Sequence, residues 1–247
     1  MKFWNFITNE DLLDTVELRI EGDIISDSDA WIYEWFDEPA ASPNAFRNEL
    51  NQHKGKSIHL WIDSFGGDVF AAGGIYNALK SHDGKIIAKI DSKAMSAASV
   101  IAMAADEIHM SPVGIMMIHN PLTGVHGDMR DLRKAADVLD TVKDTIINAY
   151  VAKTNKSRSF ISALMDDETY MSAHDAVKNG FADKVIGEEE EKVMNFSFNR
   201  FSIVNSANET MKKLKDFQKA QLALENQQAT SNNEDEKEKF LLELELI

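Results

Sequence analysis

Alternation of apolar and polar residues marks a series of short strands along this chain. Thr15–Ile20 places Val16, Leu18 and Ile20 on one face and predicts a strand ending at Glu21-Gly22. Ser57–Ile62, Lys85–Ile90 and Asp106–Met110 read as further strands, Ile115–Ile118 as a short apolar one, and Ala182–Ile186 closes the series. Between them, three- and four-residue spacing predicts helices over Ala45–His53, Val69–Ser81, Ala94–Ala105, Asp128–Thr154 and Ser159–Met165. In the longest of these, Leu132, Ala136, Leu139, Val142, Ile146 and Tyr150 share one stripe. Ser172 caps a further helix, Ala173–Asn179, and Gly180 stops it. Strands that alternate with helices predict an α/β domain with a mostly parallel sheet. Residues 1–15 read as a loose or docking N-terminus. Residues 23–44 show no clear period, and their aromatics Trp31, Tyr33, Trp35 and Phe36 read as core and interface packing.

The composition changes at Glu188-Glu189-Glu190-Glu191, beyond which there is no glycine or proline. The expectation is a domain over residues 1–187 and an acidic, polar, partly helical tail over 188–247. In that tail Asn208–Gln228 predicts a helix, Ala229–Asn233 a flexible joint and Glu234–Leu246 a short amphipathic helix that is a candidate for self-association.

Charge and residue usage narrow the chemistry. The 247 residues carry 26 Lys plus Arg against 41 Asp plus Glu, a formal net charge of −15. Such a surface repels phosphate backbones, so no nucleic acid and no anionic membrane is expected as a partner. The absence of cysteine excludes disulfides, Cys-ligated zinc and thiol catalysis, and it fits a reducing cytoplasm. The N-terminus lacks the pattern of a signal peptide, and the uncharged stretch around Ser96 is too short and too weakly apolar to span a bilayer.

Two stretches carry candidate chemistry. Ser96 stands near the start of an Ala- and Met-rich helix, where backbone N–H groups can hold an oxyanion. His119 ends a strand and can take a proton from such a serine. The plainer alternative is a core helix carrying one tolerated serine, with an unrelated histidine at a strand end. Upstream, Asp63-Ser64-Phe65-Gly66-Gly67-Asp68 joins a strand to a helix through a glycine turn whose N–H groups can point outward. Ser99 reads as packing, and His109, His126 and His174 as surface residues. Asp63 and Asp68 read as turn and cap residues, and no spacing suggests a metal site.

Four motifs in one order change the weight of these readings: DSFGGDVFAAGGIYNAL, AMSAAS with IAMAAD, MMIHNP, and ETYMSAHDAVKNGFADKV. Together they resemble the proteolytic subunit of the Clp protease (ClpP) family over roughly residues 15–187, most nearly the ClpP-like head-maturation proteases of bacteriophages. The resemblance implies a ClpP/crotonase-type α/β fold with a handle-like long helix over Asp128–Thr154. It implies a serine endopeptidase with Ser96 as nucleophile and His119 as base. Glu168 falls at the family's aspartate position, with Asp167 as the alternative acid. Asp166, Asp167 and Glu168 lie in one turn, so one carboxylate is expected to point inward and the others to face solvent. The implied oxyanion donors are the N–H groups of Gly67 and Ala97. No cofactor or metal is implied.

The implied partners are a protein or peptide substrate, such as capsid or scaffold protein, and copies of the chain itself in a homo-oligomeric ring. The implied location is the cytoplasm, that of the host for a phage-encoded chain. A housekeeping peptidase working with an ATPase partner, an inactive assembly protein and a crotonase acting on acyl-CoA are the other readings. Against the family pattern, Phe65 replaces a proline, Ser92 a glycine, Ala97 a methionine and Glu168 an aspartate.

Overall fold

The computed structural model describes residues 7–8 and 15–188. In chain order these form β1 (Ile7–Thr8), β2 (Thr15–Ile24), α1 (Ala30–Phe36), β3 (Ala40–Ala41), α2 (Pro43–Leu50), a 3-10 turn (Asn51–His53), β4 (Ser57–Gly67) and α3 (Val69–Lys80). There follow β5 (Ile86–Met95), α4 (Ala97–Ala102), β6 (Glu107–Met110), β7 (Ile115–Ile118), α5 (Met129–Thr154), α6 (Arg158–Asp166), β8 (Thr169–Ser172), α7 (Ala173–Asn179) and β9 (Lys184–Val185). The helices expected within 208–246 lie outside the described residues.

The sheet runs β1-β2-β4-β5-β6-β9, with β3 on β2 and the pair β7-β8 branching from β5. All pairings are parallel except β1 with β2 and β7 with β8. The α/β expectation with a mostly parallel sheet and flanking helices therefore holds. Val16, Leu18 and Ile20 of β2, Ile58, Leu60 and Ile62 of β4, and Ala88 and Ile90 of β5 are buried on one face. Each isoleucine or leucine withdrawn from water in this way contributes about 1.5–3 kcal/mol. On the other face Arg19, Trp61 and Lys89 are half-buried, with the two cations 5.2 and 4.7 Å from the Trp61 ring centre.

Several elements differ from the sequence expectation, each for a reason that lies outside the local pattern. β2 continues four residues past Ile20, through a register shift between Glu21 and Asp23, because β4 offers it a partner as far as Gly67. β5 runs on to Met95, so the helix expected from Ala94 begins only at Ala97. Residues 30–36 form α1, and its Trp31, Trp35 and Phe36 are 65%, 80% and 54% exposed, so they do not belong to the core. His109 is buried rather than on the surface, against Glu107 at 2.9 Å. The turn after α6 continues into β8, which pairs with β7. Ile7–Thr8 pairs with β2, the docking alternative of the two readings for that segment.

α5 is capped by the reciprocal Asp128–Asp131 arrangement, in which both side chains hold main-chain N–H groups. Its apolar stripe is used unevenly. Ile146, Ile147, Ala149 and Tyr150 are buried, whereas Leu132 and Val138 are about half exposed. The C-terminal half packs on the domain, and the N-terminal half presents apolar side chains to solvent.

Candidate active site

The sheet register determines which chemical groups meet. β5 pairs along its first half with β6 and along its second half with β7. The last pair is Met95 with Met117, and the Ser96 N–H continues the ladder to the Met117 carbonyl at 2.9 Å. Two residues beyond Met117 the chain reaches His119. Its Nε2 lies 2.7 Å from Ser96 Oγ, a hydrogen bond across 23 residues of sequence. On the other side of β5, Ser64 of β4 pairs with Ala94, which sets the Gly66-Gly67 turn beside Ser96.

Ser96 is the residue between β5 and α4, with φ 52° and ψ −125°. A side chain in this left-handed region costs about 1–3 kcal/mol, which the surrounding structure must offset. The geometry turns a strand sharply into a helix and lifts Oγ away from both. Ala97 is the first residue of α4, so its N–H has no partner within the helix. Gly66 has φ 103°, and a Cβ there would stand 2.9 Å from both Ala97 N and Ser96 Cβ. Gly67 has φ 144°, and a Cβ there would meet the Ile24 carbonyl at 2.1 Å. No other residue fits either position. The amides flanking Gly67 are committed: Gly66 N–H to Ser64 Oγ at 3.0 Å, and Asp68 N–H to the Ile24 carbonyl at 2.7 Å. Asp68 caps α3 by accepting from Ala71 N–H at 2.7 Å, as expected, whereas Asp63 is not a turn residue: it lies in β4, which runs past Ile62 to Gly67 because β2 pairs with it, and it pairs with Lys93.

Ser96, His119, Gly67 and Ala97 line one cleft of about 470 Å³. Most of its remaining wall is apolar, including Phe70, Val100, Met117, Leu122 and Ile146. Burial holds the His119 imidazole below its ordinary pKa of 6.5, and the Glu168 charge opposes that effect. The ring is therefore neutral at neutral pH.

The acidic turn is arranged differently from expectation. Asp166, Asp167 and Glu168 are all exposed, so none of the three is buried inward. The Glu168 carboxylate accepts the Tyr170 hydroxyl at 3.1 Å and interacts with His119 through space rather than by a hydrogen bond. Glu168 also has a left-handed φ of 46°. Asp166 bridges Lys143 of α5 at 2.6 Å and Asn120, next to His119, at 2.9 Å. These contacts hold its carboxyl below the ordinary range. Sequence reasoning missed this bridge, because a single charge in an acidic run carries no sign of its partner. Among the described residues no group of three or more His, Asp or Glu is placed to hold a metal ion. Among them, too, no helix is long and apolar enough to cross a membrane.

A mostly parallel α/β sheet with a serine–histidine contact in the wall of an apolar cleft is an arrangement suited to hydrolysis. The chain belongs to the Clp protease family, a family of peptidases, whose sequence profile it matches over residues 49–189. It is 28% identical over 143 residues to an ATP-dependent Clp protease proteolytic subunit of Deinococcus radiodurans, covering 57% of this chain and 70% of that one. It is 30% identical over 141 residues to ATP-dependent Clp protease proteolytic subunit 1 of Protochlamydia amoebophila, covering 56% and 68%.

The electrostatics of His119 lead to a titration test. Its imidazole should lose its proton with a midpoint below 6.5, followed by NMR of the ring protons. Glu168→Gln removes the charge that favours the imidazolium and should move the midpoint lower still. An unchanged or higher midpoint in Glu168→Gln would show that the carboxylate does not act on this ring.

Proposed function

We propose that this chain is a serine endopeptidase. The observation that carries the reading is the 2.7 Å contact between Ser96 Oγ and His119 Nε2 at a left-handed strand–helix turn. In this reading Nε2 accepts the Ser96 proton as Oγ attacks the scissile carbonyl carbon. The negative charge that develops on the carbonyl oxygen is held by the N–H groups of Gly67 and Ala97. His119 then delivers the proton to the leaving amine, and water hydrolyses the acyl-enzyme by the same route. The apolar cleft wall excludes water and strengthens each of these interactions.

Glu168 is the acid of this reading. Its charge already favours the imidazolium, and a hydrogen bond to Nδ1 requires the carboxylate to leave Tyr170 by side-chain rotation, as catalytic contacts often tighten only with substrate bound. Asp167 is the alternative. The pair is separated by Glu168→Gln and Asp167→Asn, each assayed for turnover. Glu168→Gln should lose several orders of magnitude in rate and Asp167→Asn little. The reverse pattern moves the acid to Asp167, and two silent variants leave a Ser96–His119 dyad.

The substrate reading is a capsid or scaffold protein processed during phage head assembly in the host cytoplasm, by a homo-oligomeric ring of this chain. It is supported by the motif resemblance and by the acidic tail beyond residue 189, where the match to the family ends. The ring is supported by the exposed apolar side chains of the N-terminal half of α5 and of α1. A second reading, a housekeeping subunit with an ATPase partner, is favoured by the names of the two relatives, both ATP-dependent.

One set of measurements tests the function. The wild-type chain should scatter light as an assembly larger than its 27.7 kDa and cleave an unfolded protein with no ATPase present. Ser96→Ala should assemble equally and lose on the order of 10⁴–10⁶ in rate. Cleavage that appears only when an ATPase is supplied favours the second reading. Near wild-type turnover in Ser96→Ala would overturn the assignment, and a fully active monomer would overturn the ring.

A further inference from the structure

Two fully buried hydroxyls, on Ser99 and Tyr150, have no part in the chemistry proposed above. They lie 2.8 Å apart although 51 residues separate them in sequence. Ser99 Oγ is also 2.6 Å from the main-chain carbonyl oxygen of Ser96. A carbonyl only accepts, so the single hydroxyl hydrogen of Ser99 is committed to it. The hydrogen between the two side chains therefore belongs to Tyr150. The chain of donors has one direction, from Tyr150 to Ser99 to the Ser96 carbonyl. Burial pushes the Tyr150 phenol far above its ordinary pKa, so it remains a donor at every working pH.

The carbonyl at the end of this chain belongs to a particular peptide. The Ser96 carbonyl and the Ala97 N–H are opposite ends of one planar unit and cannot turn independently. Fixing the direction of the oxygen therefore fixes the direction of the N–H at the other end of the same unit. A hydrogen bond to the carbonyl also polarises the peptide and strengthens its N–H as a donor. The Ser99 N–H reaches the same oxygen at 3.0 Å, but that bond is available to any residue at 99. The side-chain relay depends on a hydroxyl at 99 and a phenol at 150.

We infer that Ser99 and Tyr150 are positioning residues that set the Ser96–Ala97 peptide plane and so aim the Ala97 N–H at the oxyanion. The inference rests on the serine-peptidase reading. It assigns to α5 a role at the nucleophile, because Tyr150 lies in the buried half of that helix. It also assigns the two residues an order: Tyr150 acts only through Ser99.

The test is a mutant cycle read by kcat, KM and the rate of inactivation by a fluorophosphonate, whose phosphoryl oxygen occupies the same hole. Removing a whole oxyanion donor costs about 10²–10³ in kcat. Misaiming one should cost less, about 10-fold or more in Ser99→Ala and several-fold in Tyr150→Phe. KM should stay within about twofold, and inactivation should slow in parallel with kcat. Ser99→Ala leaves the Tyr150 hydroxyl buried without a partner, so Ser99→Ala/Tyr150→Phe, which removes both groups, is the variant to rely on if the single one melts early. The double variant should be no slower than Ser99→Ala. A folded double variant with kcat and inactivation within about twofold of wild type would overturn the inference, and so would losses that multiply. A wild-type chain that neither hydrolyses peptide nor takes up the reagent would overturn the serine-peptidase reading itself.

Discussion

Holding one residue, Ser96, in a left-handed backbone conformation is the constraint on which the rest of the site depends. The conformation is unfavourable for a side chain and persists only where neighbours over-determine it. Here the Ser96 N–H is tied to Met117 of β7, its carbonyl receives Ser99, and α4 starts at the next residue. Gly66 must be glycine because the turn passes too close to this elbow for a Cβ. The strained serine thus accounts for the glycine beside it, the short helix after it and the forked strand before it.

The fork in β5 has a wider consequence. A parallel sheet normally continues a pairing along the whole strand, but β5 exchanges β6 for β7 partway along. That exchange brings the end of β7 beside the end of β5 and sets His119 against Ser96. β8 then pairs antiparallel to β7 and carries Thr169 opposite Ile118, so the acidic turn arrives beside the histidine. Ser96 and His119 come from separate segments whose meeting the sheet backbone fixes, whereas the acidic turn stands nearby with its Glu168 carboxylate bonded to Tyr170.

Much of this was legible from residue pattern. Alternation located β6 and β4 as far as Ile62, a short apolar run located β7, spacing located α3 and α5, and the Ser172 and Gly180 caps located α7. The class of site followed from four motifs whose order matches one family. What stayed hidden depends on partners distant in sequence. The extensions of β2 and β5 require neighbouring strands, and Ala94 and Met95, good helix formers at the head of an Ala-rich stretch, are held in β5 by pairing with β4 and β7. The aromatics of α1 read as core and interface packing, yet Trp31, Trp35 and Phe36 are largely exposed. Ser99 looked like packing because its partner is on another helix. Glu168 is the least legible residue, since its hydrogen bond goes to Tyr170 and its link to His119 is electrostatic.

On the proposed reading, this backbone arrangement makes Ser96, among all the serines of the chain, a nucleophile activated by His119. Peptide mapping by mass spectrometry after reaction with a fluorophosphonate tests it most directly. A single adduct is expected, on the peptide containing Ser96, and it is lost in His119→Ala. An adduct on a different serine, or none while peptide hydrolysis proceeds, would contradict it.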